Sequence, residues 1–337
     1  MSAIGEQAAL LQREWDTRPR WAGIARHYSA QHVIRLRGRI AGEQHSVARR
    51  GASRLWDLLN RRDGVRALGA VTGSRAVQAA SAGAQAIYRP GGQAAAGQAA
   101  DGNLTGRLAP VVVGAEAGVG GAPAAFELMK AMIEAGAAGV RFDDQLPAGG
   151  PGGHFGQRVL VPTAAHIETL TAARLAADAL DVPALVIART GARAASLLTS
   201  DTDERDHEFL TGERTADGLY RMEPGLYACG TRSLAFAPYA DLLWLETPAP
   251  DLGAARAFAC VIHSQYPGKL LAYSCSPSYG WRAHLDDASI ARFQGELAAL
   301  GYRFQVTAPA EFRTRDEPAP GLASRPAHDG VPAYAQS

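Results

Sequence analysis

The sequence predicts an α/β protein, a (β/α)8 TIM-type barrel preceded by peripheral helices. Two observations carry this. Eight short apolar runs recur, each closing in a polar or glycine-rich turn: "ALGAVTG", "QAIYRPG", "APVVVGAEAG", "AGVRFDDQ", "ALVIARTG", "LLWLETP", "LLAYSCSPS" and "YRFQVTAP". Most are separated by amphipathic helical stretches such as "APAAFELMKAMIEAG", "TAAHIETLTAARLAADAL", "LGAARAFACVIHSQYP" and "DASIARFQGELAALG". Near-continuous apolar strands alternating with helices indicate a parallel sheet covered on its faces. Eight of them over about 240 residues fit a closed barrel better than an open doubly wound sheet.

Taken in order, residues 1–65 form an N-terminal helical segment. "SAQHVIRLRGRIAGEQHSVARRGASRLWDLLNRR" spaces its apolar residues at helical intervals, and its arginines read as a solvated face or as intersubunit ion pairs. Residues 66–312 carry the barrel. One connection departs from the pattern: "GGQAAAGQAADGNLTGRL", between the second and third runs, is too rich in Gly and Ala for a packed helix. Residues 313–337 are Pro- and Ala-rich without periodicity and are expected to be a disordered tail.

Composition bounds the function. Hydrophobic residues make up 47% of 337, enough for a sizeable core. A net charge of +1 with scattered Lys and Arg argues against nucleic acid as a partner. No apolar run approaches the roughly 20 residues that cross a bilayer, and the first residues lack a signal peptide's basic start, so no membrane association is expected. Cys229, Cys260 and Cys275 are odd in number without metal-type spacing, which reads as reduced thiols in a cytoplasmic protein.

Chemistry in such barrels gathers at the C-terminal strand ends. Here those ends carry Thr72, Arg89, Glu116, Asp143 with Asp144, Arg189 with Thr190, Glu246 with Thr247, Ser274 with Ser276 and Ser278, and Thr307. Carboxylate oxygens suit Mg²⁺, while arginine forks and serine hydroxyls suit a small carboxylic acid. Past the fourth run lies "DDQLPAGGPGGHFGQ", an acid pair followed by a glycine-rich loop. It resembles an active-site lid, yet it holds neither a nucleophile nor a lysine.

These residues also carry a family resemblance. "REWDTRPRWAGIARHYSAQHV", "HFGQRVLVPTAAHIETLTAARLAAD", "VIARTGARAASLLTSDTDERDHEFLTGERT", "APYADLLWLETPAPDL" and "CSPSYGWRAHLDDASIARFQGELAALGYRFQ" resemble isocitrate lyase, within the phosphoenolpyruvate mutase/isocitrate lyase superfamily. The likeness runs from about residue 12 to residue 312. It implies Mg²⁺-dependent retro-aldol cleavage of a 2-hydroxy acid, isocitrate giving glyoxylate and succinate, with a loop cysteine protonating the succinate carbanion. On that basis Arg189 grips the substrate carboxylate, Glu246 belongs to the glyoxylate pocket, and Ser276 and Ser278 bind the succinate end. His154 closes the lid, with Gly153 beside it, while Glu116 and Asp143 surround the metal. His154, Arg189 and Glu246 are thus the catalytic candidates.

The departures from the family fall on the reactive atoms. Where the family reads K-K-C-G-H, residues 150–154 read "GPGGH", so the acid cysteine is Gly152. Where it reads D-G-E-A-G, this chain has "GAEAG", so the aspartate that binds Mg²⁺ directly is Gly114. The substrate-gripping S-G-W turn is Pro90, Gly91 and Gly92; the asparagine before C-S-P-S is Ser274; a threonine near the last strand corresponds to Ala308. A stretch holding another metal-shell aspartate and the helices after the last strand are missing.

The expectation is a lyase-like protein, impaired or repurposed, whose Mg²⁺ binding is weak or absent. The alternative is an inactive paralogue that binds small carboxylates or associates with a full-length homologue; a homo-oligomer is also expected. Cys229 and Cys275 read as packed thiols, the latter with a lesser claim as a replacement acid. His45 and His166 read as surface or packing residues, and the acidic run "TSDTDERD" reads as a solvated loop at the barrel mouth.

Overall fold

A computed structural model of the chain describes residues 3–37, 45–90, 109–115, 120–146, 158–276 and 279–307. All eight apolar runs become parallel strands of one closed barrel. These are β1 (Val65–Gly69), β2 (Ala86–Arg89), β3 (Val111–Gly114), β4 (Gly139–Asp143), β6 (Leu185–Arg189), β10 (Leu242–Leu245), β11 (Leu270–Ser274) and β12 (Tyr302–Thr307). They pair around the ring in chain order, and β12 closes against β1 through Val65↔Phe304 and Leu68↔Thr307.

Side chains alternate along each strand. Val65, Ala67, Ala86, Tyr88, Val112, Leu185, Ile187, Leu242, Trp244, Ala272, Phe304 and Val306 fill the barrel interior. Their neighbours, such as Ile87, Val113, Val140, Phe142, Val186 and Leu243, face outward to a second cluster beneath the helices. Helices α4 (Gly73–Ser81), α5 (Ala122–Glu134), α6 (Thr163–Ala179), α7 (Leu226–Phe236), α8 (Leu252–Gln265), α9 (Trp281–His284) and α10 (Asp287–Ala299) make the outer layer.

Ahead of the barrel lie α1 (Ala3–Thr17), α2 (Ala30–Arg37) and α3 (Ser46–Leu59). Helix α3 closes the N-terminal end, since its Leu55, Leu58 and Leu59 join the interior cluster. The other two are pinned by buried charge. Arg20, stacked on Trp21 and Trp56 at 4.5 and 4.3 Å, shares Asp241 with Arg174 of α6. Asp241 also accepts from the Val186 amide at 2.7 Å. Arg26 pairs with Asp178 at 2.7 Å beneath the Tyr28 hydroxyl.

Arg37 and Arg49 pair within the chain, on Asp181 at 2.8 and 2.7 Å, and Arg49 and Asp181 are exposed, in keeping with a solvated helix face. One expectation is corrected in part. The run "TSDTDERD" is solvated only in part, at Asp201, Thr202, Glu204 and Arg205. Asp203 and Asp206 are buried, and they accept from the Ala164 and Thr163 amides at 2.6 and 2.8 Å, capping the start of α6. Exposed amides at a helix start need acceptors, and these acids supply them from some 40 residues away.

A four-stranded sheet, β5 (Val159–Leu160), β7 (Leu197–Leu198), β8 (Leu210–Arg214) and β9 (Tyr220–Met222), forms from the segments after β4 and β6, in the order β5-β7-β9-β8. Its strands are too short to show a period in the sequence. The expected tail, residues 313–337, and the Gly/Ala-rich connection lie outside the described residues. No helix among the described residues is long and apolar enough to cross a membrane.

Asp241 is a point of failure for the N-terminal layer. Asp241→Asn leaves two buried guanidiniums without their anion, a loss of about 3–5 kcal/mol. Urea unfolding is the check; a loss below about 1 kcal/mol would contradict the assignment.

Candidate functional site

Strand alternation brings four charged groups to one place. Val140 and Phe142 face outward, so Arg141 and Asp143 face the barrel axis; Leu185 and Ile187 point inward, and Arg189 continues their line. Asp143 lies between the two arginines. Its Oδ2 accepts from Arg189 Nη2 at 2.7 Å and from Arg141 Nη2 at 3.0 Å. Its Oδ1 is 2.9 Å from Arg141 Nε, an ion pair without hydrogen-bond geometry. Arg189 reaches on through Nη1 to Glu246 at 2.7 Å, and Arg158 approaches the same carboxylate at 3.2 Å.

Burial alone would raise the Asp143 carboxyl, but the two guanidiniums outweigh it and hold it below the usual carboxylate range. For Arg189, burial opposes the charge, and Asp143 and Glu246 more than restore it. Asp143 and Arg189 are therefore both charged at neutral pH.

Beneath this chain of charges lies an aromatic floor. The Arg141 guanidinium carbon sits 5.4 Å from the Tyr88 ring centre and 5.2 Å from that of Trp244, and the two rings are 5.2 Å apart. Trp244 Nε1 donates to Ser274 Oγ at 2.9 Å. Gly114 ends β3 against the same group. A Cβ built on it would lie 2.7 Å from the Tyr88 hydroxyl and 3.5 Å from Arg141 Nη2. The space a side chain would need at position 114 is already taken.

Other strand-end residues serve the fold. Asp144 turns away from Asp143: its Oδ1 accepts from the Gly191 amide at 2.8 Å and its Oδ2 from Arg232 at 2.9 Å. Arg232 continues to Asp206 at 2.6 Å. Arg89 is buried, follows the outward-facing Ile87 by two residues and donates to the Val71 carbonyl at 3.4 Å. Thr72 caps α4, and Thr247 bonds the Tyr273 hydroxyl. The carbonyl of Ser276, a half-buried residue, accepts from Trp281 Nε1 at 2.8 Å.

The thiols of Cys229 and Cys275 are buried, and burial pushes each up to about 12, so both are inert packing groups. His166 is buried on α6, edge-on to Phe236 at 4.7 Å.

The structure thus brings Asp143, Arg189 and Glu246 together as the sequence expected, and Ser274 lies beside them through Trp244. Gly91, Glu116, Gly152, Gly153, His154 and Ser278 lie outside the described residues. Arg141, Tyr88 and Trp244 were missed. Their period-two alignment with Asp143 and Gly114 was the available signal for Arg141; the aromatics read as core. Among the described residues, no three His, Cys, Asp or Glu side chains are grouped as a metal site.

Comparison with known proteins places these observations. The isocitrate lyase family model matches residues 95–216 and 211–337. "Isocitrate lyase 1" of Mycobacterium tuberculosis (strain ATCC 35801 / TMC 107 / Erdman) is 45% identical over 380 aligned positions, covering 100% of this chain and 88% of that protein. The isocitrate lyase of Escherichia coli (strain K12) is 46% identical over 354 positions, covering 90% and 80%. Among solved structures, oxaloacetate acetylhydrolase in complex with 3,3-difluorooxalacetate superposes with a TM-score of 0.57 at 19% identity, over 76% of this chain and 79% of that one. A 2,3-dimethylmalate lyase of the PEP mutase/isocitrate lyase superfamily gives 0.52 at 20% identity, over 76% and 80%. At such identities the two structures speak to the fold alone.

Two outcomes follow from the geometry. Gly114→Ala should cost about 1–3 kcal/mol by crowding the Tyr88 hydroxyl, and adding Tyr88→Phe should recover at least half of that loss. Thermal melts check it; no rescue would show the crowding to lie elsewhere. His166 is held down to about 4 from 6.5, chiefly by burial and further by Arg232, against the pull of Asp144. Its neutral form is the folded one, so its contribution is complete above pH 6.5 and drains away as pH falls toward 4, about 3 kcal/mol in all. His166→Gln should flatten that part of the stability–pH curve, and an unchanged slope would refute the assignment.

Proposed function

The chain belongs to the isocitrate lyase family, and within it we propose a small-carboxylate-binding barrel whose C–C cleavage is impaired. The observation that carries this is the Arg141–Asp143–Arg189–Glu246 chain seated on Tyr88 and Trp244, with Gly114 closed against it. Arg189, with Ser276 and Ser278, would grip carboxylates, as the resemblance implies. Gly91, Gly153 and His154 would line the same pocket.

The family's magnesium does not fit the described residues. Position 114 offers no carboxylate, and a side chain there would have to displace the Tyr88 hydroxyl. Asp143 is already held by two cations, and a divalent ion beside Arg141 would meet like charge. Glu116, the remaining carboxylate assigned to the metal, would have to hold it without either partner. No step is therefore routed through a metal here.

Gly152 has no proton to donate where the family has a cysteine. A general acid contributes roughly 10²–10⁴-fold and a catalytic metal several kcal/mol. Losing both removes on the order of 7 kcal/mol, about five powers of ten in rate. His154 is the residue left to supply a proton, with Glu246 to orient a hydroxyl or water.

The test has two arms. Glyoxylate release from isocitrate with saturating Mg²⁺ should run at least roughly 10⁴-fold below the Escherichia coli relative assayed in parallel. Calorimetric titration with glyoxylate, pyruvate, succinate and malate should show heat for at least one acid. Turnover matching the relative defeats the impairment; silence across the whole panel defeats the binding site.

A further inference from the structure

Arg141 occupies an unusual place for an arginine. Its guanidinium lies inside the barrel between two aromatic rings, 3.5 Å from where a side chain at Gly114 would begin. There it supplies a fixed positive charge inside the barrel, beside the end of the third strand. Asp143 engages Nε and Nη2 of Arg141. Arg189 stands alongside with its buried Nε unpartnered. The Nη2 atoms of both arginines meet on Asp143 Oδ2, which brings two guanidiniums, each able to donate to a carboxylate, side by side.

The charge balance agrees. Arg141, Arg189 and Arg158 face Asp143 and Glu246 in one connected group, three positive charges against two negative. The excess draws an anion in and repels a divalent cation.

We propose that Arg141 takes the place of a divalent ion, so that the barrel mouth binds the carboxylate and adjacent oxygen of a small 2-oxo or 2-hydroxy acid without any metal. This rests on the carboxylate-binding reading above and adds the residue and the metal independence. Asp143 is then a positioning residue, whose task is to hold the two guanidiniums side by side.

The experiment is calorimetric titration of glyoxylate into the full chain, once in EDTA and once in excess Mg²⁺. The expected dissociation constants agree within about twofold. Arg141→Met should weaken binding at least about tenfold and Arg141→Lys less, because a point charge keeps the attraction and loses the fork. Arg49→Met, on the N-terminal layer, should leave binding unchanged.

Heat seen only with Mg²⁺ overturns the proposal and leaves the binding reading standing. Unaltered binding by a folded Arg141→Met variant also overturns it. Absence of heat under both conditions strikes the underlying reading, and this proposal with it. Should Arg141→Met fail to melt cooperatively, the EDTA comparison on the unaltered chain decides alone.

Discussion

The carboxylate of Asp143, clamped between two guanidiniums at the end of a closed apolar barrel, sets the character of the whole site. A buried charge without a partner would be untenable there, so Arg141 and Arg189 are held where Asp143 needs them. Once they are in place, Asp143 and Glu246 are each tied to an arginine, and the Arg141 guanidinium is fixed inside the barrel. Beside Gly114, the nearest atoms are the Tyr88 hydroxyl and Arg141 Nη2.

The same device recurs where the chain needs fixed geometry. Asp241 ties the N-terminal layer to α6 through Arg20 and Arg174. Asp144, Arg232 and Asp206 join the end of β4 to α7 and the start of α6. Such buried pairs add little net stability over apolar packing, but they tolerate only one arrangement. The strand ends share that fixed geometry, with Arg141 and Arg189 both held on Asp143.

Much of this was legible in the sequence. The eight runs "ALGAVTG" to "YRFQVTAP" gave all eight barrel strands because strands buried on both faces must be apolar throughout, and the turns after them are marked by glycine and polar residues. Asp143, Arg189 and Glu246 were singled out as strand-end residues, and the structure places them in one ion-paired group. The side sheet was invisible, its strands being two to five residues long. Asp203 and Asp206 looked solvated because their partners, the first amides of α6 and Arg232, are distant in sequence. Arg141 read as one more polar residue in "AGVRFDDQ"; only the inward count from Asp143 reveals it. Arg89 and Asp144 sit at strand ends yet serve the outer layer, since a single residue's shift along a strand reverses the direction of its side chain.

Whether a divalent ion can share the barrel mouth with two guanidiniums is the claim on which the rest turns. Titration of the purified chain with Mn²⁺, followed by the electron paramagnetic resonance signal of the free ion, measures it directly. The account predicts that the free-ion signal grows in proportion to added Mn²⁺, as in buffer. Uptake of one equivalent per chain, abolished by Asp143→Asn, would contradict it.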